Sequence, residues 1–327
     1  MRLLSKSVLN RSPLISPIQT AHIFDCLPSE MKRAAWLLPE STRNRLEEIR
    51  LRAGREVTVT VDGKEQILSR DGKLYISDDL SRGITCTAEH VLYTVEKAAD
   101  GFVYSAEETI RQGFIPIRGG HRLGLCGHVV IHQNGIASMN GFSSLCIRIA
   151  RDVQGISQAG KEVICSNSGL HNTLIISSPL VGKTTYLRDL IRTLSADGMR
   201  IGVCDERSEI AALMQGEPQF ALGHFVDVID GCSKAEAAMM LLRSMSPQLI
   251  AMDEITAPLD VEAICRAANC GVRILATAHA DDIAELRHRK LYAQLLDNQL
   301  FSRVLHLERQ GTERFCTAYA LDAPETP

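Results

Sequence analysis

One stretch constrains this chain more than any other: Leu174-Ile175-Ile176-Ser177-Ser178-Pro179-Leu180-Val181-Gly182-Lys183-Thr184-Thr185 runs from an apolar strand through a tight loop into an amphipathic helix. A loop of this kind aims backbone N–H groups at phosphate oxygens, a lysine at the β and γ oxygens, and a hydroxyl at Mg2+. Gly182, Lys183 and Thr184 fill the last three positions of the pattern G-x-x-x-x-G-K-[ST]. Ser177 stands where the first glycine is expected, and Pro179 removes one N–H donor. Apolar residues recur at Leu187, Leu190, Ile191 and Leu194, the i, i+3, i+4, i+7 spacing of a helix with one buried face. Gly198 stops that helix. Ser178, Pro179, Leu180, Val181, Gly182, Lys183, Thr184 and Thr185 are therefore the candidate phosphate-loop residues, with ATP and Mg2+ as the implied ligands.

From Thr173 onward strand-like and helix-like segments alternate, the pattern of a parallel α/β sheet. Strands are expected at Thr173 to Ser177, Arg200 to Asp205, Leu249 to Met252 and Arg273 to Thr277. Helices are expected at Ser208 to Met214, at Ser233 to Met245 behind an S-x-x-E capping box, after a capping Asp260, and from Asp282 to Leu300. Two β-rich stretches, Arg303 to Leu307 and Arg314 to Leu321, follow with a Gln310-Gly311 turn between them.

The first half is patterned as an α+β module. It reads as helical near Ser41 to Arg50, then as a hairpin of Val57 to Val61 and Glu65 to Leu68 closed by Asp62-Gly63, a type I′ signal. A helix near Ala88 to Ala99 precedes strands at Phe114 to Ile117, Leu123 to His132 and Ile136 to Met139, with Asn134-Gly135 as a turn. The change of pattern falls in a Gly/Ser-rich stretch that includes Gly155, Ser157, Gly160, Asn167 and Ser168. It divides the chain into residues 1–160 and 161–327.

Composition excludes several classes. At 327 residues with a net charge of −3, the chain lacks the strongly basic footprint of a duplex-binding protein. No run of about 18 apolar residues signals a membrane span or a signal peptide. The cysteines form no C-x-x-C pair and no zinc-spaced group, so they read as reduced, mostly apolar thiols of the cytoplasm.

Acidic residues close the predicted strands. Leu249-Ile250-Ala251-Met252-Asp253-Glu254 ends in the pair that, on such a sheet, holds Mg2+ (Asp253, together with Thr184) and polarises the attacking water (Glu254). Asp205-Glu206-Arg207-Ser208-Glu209 ends the strand after the phosphate-loop helix on the same carboxyl edge. There Glu206 serves either a water or metal site or a helix N-terminus rich in acids. Period-two alternation turns Thr277 and His279 to one side, where His279 either senses the γ-phosphate or is a structural histidine. Catalytic candidates are accordingly Glu254, Lys183, Glu206 and His279.

These residues carry a resemblance. Ser177 to Arg188, Asp205-Glu206-Arg207-Ser208-Glu209-Ile210, Asp230-Gly231-Cys232, Arg243-Ser244-Met245-Ser246-Pro247, Met252-Asp253-Glu254-Ile255 and Ala276-Thr277-Ala278-His279 closely resemble the stage III sporulation protein AA family, which is related to type II and type IV secretion ATPases. In the first half Leu46 to Arg55, Gly113-Phe114-Ile115, Gly119 to Gly124 and Ser143 to Ala150 match as well. The resemblance implies an α/β fold with a RecA-like P-loop parallel-sheet C-terminal domain and a smaller α+β N-terminal domain. It also implies a cytoplasmic ATPase of the mother cell, a homo-oligomeric, hexameric ring peripheral to the membrane. Its partners would be membrane-embedded sporulation channel proteins linking mother cell and forespore, and nucleic acid is not among them.

Such rings place nucleotide between neighbours, and Arg122, Arg148 and Arg151 are candidates for an arginine given in trans; an inter-strand ion pair is the competing role for each. Arg287-His288-Arg289-Lys290 reads as a solvated helix face. Leu180-Val181 sits where related loops carry smaller or more polar residues, and Thr256-Ala257-Pro258 follows Glu254 where secretion ATPases carry an arginine. Two other functions fit the residues: a RecA-like motor on single-stranded nucleic acid, and a nucleotide-binding switch that hydrolyses poorly.

Overall fold

The structure, a computed structural model, describes residues 1–9, 17–76, 82–99, 107–111, 113–132, 135–166, 169–311 and 313–321. The predicted turn residue Asn134 and the linker residues Asn167 and Ser168 lie outside them. The chain forms two compact units, Pro13–Asp152 and a second made of Met1–Ser12 with Val153–Pro327.

In the Pro13–Asp152 unit a seven-stranded antiparallel sheet runs in the order Leu74–Tyr75, Lys64–Leu68, Thr58–Val61, Leu46–Arg52, Gly135–Arg148, His121–His132, Phe114–Ile117. One buried row crosses four strands, with Ile49 opposite Ile147, Ile147 opposite Leu123, and Leu123 opposite Ile115. Val91 and Val95 of the helix Ala88–Ala98 join the same core. The Asp62-Gly63 turn has positive φ at both residues, 50° and 74°, as a type I′ hairpin requires.

The expected helix at Ser41 to Arg50 does not form. Only Glu40–Arg43 is helical, and Leu46–Arg52 is a strand. Glu, Arg and Leu favour helix in isolation, but Ile49 and Leu51 alternate with half-exposed Glu48, Arg50 and Arg52, and strands pair on both sides. Tertiary pairing outweighs local propensity here.

The second unit is built on an eight-stranded sheet ordered Arg2–Val8, Glu313–Ala320, Arg303–Gln310, Thr173–Ser177, Arg273–His279, Leu249–Met252, Ile201–Asp205, Val226–Asp230. The last six are mutually parallel, and the first two add antiparallel. The first residues thus belong with the C-terminal half, not with the N-terminal module in which the division at residue 160 places them. Arg2–Val8 pairs with Glu313–Ala320 and completes an edge that no local pattern marks.

The four central parallel strands are buried on both faces. They therefore read as continuous apolar runs. The helix Lys183–Ser195 covers one face with Tyr186, Leu187, Leu190, Ile191 and Leu194, and the helices Lys234–Ser244 and Pro258–Asn269 contribute Ala238, Leu241, Val261 and Ile264 to another core.

Three local expectations change, and one strand is added. Ser208 to Met214 is not helical, because the buried Asp205 carboxylate collects the N–H groups of Glu209, Ile210, Ala211 and Ala212 at 2.7–3.1 Å. Those donors wrap around one anion, and Ser208, Ala212 and Gln215 take left-handed φ of 49°, 49° and 53° to do so. Asp260 lies inside the first turn of its helix, where its carboxylate accepts from Thr256 N and Ala257 N, while Pro258 opens the helix. Asp282 to Leu300 breaks into Ile283–His288 and Lys290–Asp297. The half-buried strand Val226–Asp230 was not marked by the sequence pattern.

Candidate functional site

Parallel register brings the strand ends abreast. Ser177 lies opposite His279, Met252 opposite both Cys204 and Ala276, so Asp205, Asp253 and Thr277 emerge side by side at the carboxyl edge. A parallel sheet sends every strand's C-terminal end to one edge, where ligands of open α/β sheets bind.

The loop between the strand Thr173–Ser177 and its helix is shaped by its backbone. Gly182 has φ 112°, and a Cβ there would meet no atom within 4 Å. Leu180 also takes a left-handed φ, 65°, with its side chain 90% exposed. That is a strained conformation for a residue with a Cβ. Val181 packs into the core, while Pro179 is exposed and Thr185 half-buried. Ser178 Oγ donates to Asp281 Oδ1 at 2.5 Å.

The Lys183 ammonium is buried at the first position of the helix, contacting Ser177 O (3.3 Å) and His279 Nδ1 (2.6 Å). An ammonium can only donate, so toward it Nδ1 is the acceptor. Nε2 lies 3.6 Å from Glu254 Oε2. Burial pushes the lysine below its ordinary pKa, and Glu254 and Asp253 pull it back up.

Thr184 Oγ1 donates to Asp253 Oδ2 at 3.2 Å, and Thr277 Oγ1 to Asp253 Oδ1 at 2.7 Å. The phosphate-loop hydroxyl and the acid at the end of Leu249–Met252 therefore share a position. Glu254 lies between His279 and Arg207, whose Nη1 is 3.8 Å from Glu254 Oε2. A lysine, a hydroxyl and carboxylate that touch, and a second carboxylate near them thus come together at this edge.

Of the predicted residues, Lys183, Thr184, Asp253, Glu254 and His279 meet. Glu206 lines a small pocket with Asp253 and Glu254 but is ion-paired with the buried Lys234. The three candidate arginines lie in the other unit, each already engaged there. Arg122 lies over the Phe114 ring, Arg148 is 3.9 Å from Glu48 on the next strand, and Arg151 Nη2 donates to the carbonyls of Arg45 and Leu46.

Several contributors were missed by sequence reasoning. Arg289 is exposed, as expected of the solvated cluster, yet its Nη1 also donates to His279 O at 2.7 Å. Tyr292 Oη donates to Ile255 O at 2.6 Å, immediately after Glu254. Together with Asp281 they tie the segment 281–292 to the phosphate loop, to His279 and to the Asp253-Glu254 turn. The only signal for them was their place directly after the His279 strand.

A model of the family described as sporulation stage III, protein AA matches residues 19–317. The stage III sporulation protein AA of Bacillus subtilis (strain 168) is 38% identical over 293 residues, which cover 88% of this chain and 90% of that relative. Among solved structures, the ATPase DotB of Yersinia pseudotuberculosis aligns with a TM-score of 0.57 at 14% identity, over 98% of this chain and 84% of its own. The pilus retraction motor PilT with bound ADP aligns at 0.54 and 15%, over 85% and 80%. At these identities the structural likeness is one of fold.

Proposed function

The chain belongs to the sporulation stage III protein AA family, and from that premise we propose that it is an ATPase of the secretion type. It would bind and hydrolyse ATP to energise assembly of, or transport through, a mother cell to forespore channel during endospore formation. The observation that carries the reading is the meeting of Lys183-Thr184 with Asp253-Glu254 at one edge of one sheet.

The roles follow from chemistry. The helix Lys183–Ser195 presents its N-terminal amides, a ready anion site, and Lys183 adds a formal charge. Thr184 and Asp253 would hold Mg2+, which when bound supplies charge neutralisation to the phosphates. Glu254, beside His279 and Arg207, is placed to orient and polarise water. His279, positioned by Arg289 through its carbonyl, would report on the terminal phosphate. By the same reading the working form is a hexameric ring on the cytoplasmic side of the membrane, acting on membrane-embedded partners. No helix among the described residues is long and apolar enough to cross a membrane. Of the candidate trans arginines Arg148 is the best exposed.

A second reading, a nucleotide switch with little turnover, draws support from Ser177 in place of glycine and from strained Leu180. One experiment separates the two: phosphate release and ATP binding measured on the wild-type chain and on Glu254→Gln. The ATPase reading expects steady release from the wild type, and from the variant ATP binding without turnover. Turnover unchanged in Glu254→Gln would refute the assignment of Glu254. Tight binding with no release from the assembled wild type would favour the switch.

A further inference from the structure

The carboxyl edge carries four carboxylates, Asp205, Glu206, Asp253 and Glu254, in a place read above as taking a polyanion. Their charges repel a triphosphate unless they are cancelled. Asp205 is cancelled by four backbone N–H groups, and Asp253 touches the hydroxyls of Thr184 and Thr277. Glu206 has a different solution, and it involves a residue outside every recognised motif.

Lys234 is only 4% exposed and is the first residue of the helix Lys234–Ser244. Two effects oppose an ammonium there. Desolvation disfavours its charge, and the aligned peptide dipoles leave a partial positive charge at this end of the helix. The helix does not need the lysine for its own start, since Ser233 and Glu236 already form a reciprocal capping box. What holds the ammonium is the carboxylate of Glu206, across the end of the neighbouring strand. The ammonium is buried while the Glu206 side chain stays 39% exposed, and a pair that costs one desolvated charge and leaves the other in water adds little stability. The charge therefore points to a task in the cleft that Glu206, Lys234, Asp253 and Glu254 line together.

We propose that Lys234 is a positioning residue: it holds Glu206 and cancels its charge, so that Asp253 and Glu254 alone are left for metal and water and the triphosphate meets a neutralised wall. The inference rests on the ATPase reading of the site. It converts Glu206 from a direct participant into half of an internal ion pair.

The test is a cycle of full-length variants, Lys234→Met, Glu206→Gln and the double variant, with Lys234→Arg as the conservative control. Each is followed by titration with MgATP and by kcat and KM. Lys234→Met leaves an unpaired carboxylate in the cleft, so ATP binding weakens roughly tenfold. The double variant removes that carboxylate and returns affinity to within about threefold of wild type. Lys234→Arg keeps the charge and retains near-normal kcat and KM. Wild-type affinity in Lys234→Met, or a double variant weaker than either single one, overturns the proposal. Should Lys234→Met fail to fold, the charge swap Glu206→Lys with Lys234→Glu keeps a neutral pair. That swap should bind MgATP near normally, and a folded swap that does not bind also overturns the proposal. A wild-type chain that neither binds nor turns over ATP overturns the ATPase reading itself, and the proposal with it; an active wild type beside an indifferent Lys234→Met overturns only the proposal.

Discussion

Asp205-Glu206 and Asp253-Glu254 are the same dipeptide at the ends of two adjacent parallel strands, and the fold uses them in opposite ways. Asp205 is 1% exposed and wrapped by four amides, and Glu206 is held by Lys234. Asp253 instead touches the phosphate-loop threonine, and Glu254 lies between His279 and Arg207. One pair shapes a loop; the other faces Thr184, His279 and Arg207. Motif chemistry alone does not separate them, because the difference lies in what surrounds each carboxylate.

The largest expected contrast is kinetic. Glu254→Gln should lower kcat by about a thousandfold, the usual scale for loss of a positioned base, whereas Glu206→Gln should cost less than about tenfold because its charge is already cancelled. Equal losses in steady-state phosphate release would erase the distinction. Stability should divide the pairs the other way. Asp205→Ala strands four inward-turned amides and should lose at least about 3 kcal/mol, while Asp253→Ala should lose about 1 kcal/mol or less. Chemical denaturation midpoints with matched m-values decide it, and a mild Asp205→Ala would mean the loop holds itself.

A smaller effect probes the supports of the second pair. Arg289→Ala frees the His279 carbonyl and should lower kcat about tenfold with little change in ATP affinity. A rise in Kd with kcat intact would instead make Arg289 a binding residue.

The pH dependence sharpens the same picture. Burial depresses the Lys183 pKa below the ordinary 10.5. The ammonium is complete below that depressed value and lost as pH rises through it. ATP affinity should therefore fall in alkaline solution earlier than it would with an exposed lysine. In Lys183→Arg, whose guanidinium stays charged, the alkaline fall should vanish; its persistence would assign the effect to another group. The smallest effect is at the loop tip, where Leu180→Gly should relieve left-handed strain and raise stability by up to about 1 kcal/mol. An unchanged or lower melting temperature would show that the leucine is held there without strain.

Much of the parallel half was legible because its signals are local. A strand buried on both faces is an unbroken apolar run, as at Leu249–Met252, and an S-x-x-E box marks a helix start, as at Ser233 and Glu236. The phosphate loop and the Asp253-Glu254 turn could be found in the same way. The failures share a cause. Leu46–Arg52 has helix-forming residues but strand neighbours, Ser208 to Met214 is bent by a carboxylate that precedes it, and Arg2–Val8 finds its partner at the other end of the chain. The site residues missed, Lys234, Arg289 and Tyr292, matter through what they touch and carry no spacing of their own.

The sequence by itself determined the alternation of strands and helices in the parallel half, the phosphate loop and the acids that close the strands, because backbone propensity, period and turn chemistry act over a few residues. Only the tertiary structure decided which acids are bound up internally and which are left for chemistry. That choice depends on desolvation and on partners such as Lys234, which lies 28 residues from Glu206 along the chain yet forms an ion pair with it once the sheet has formed.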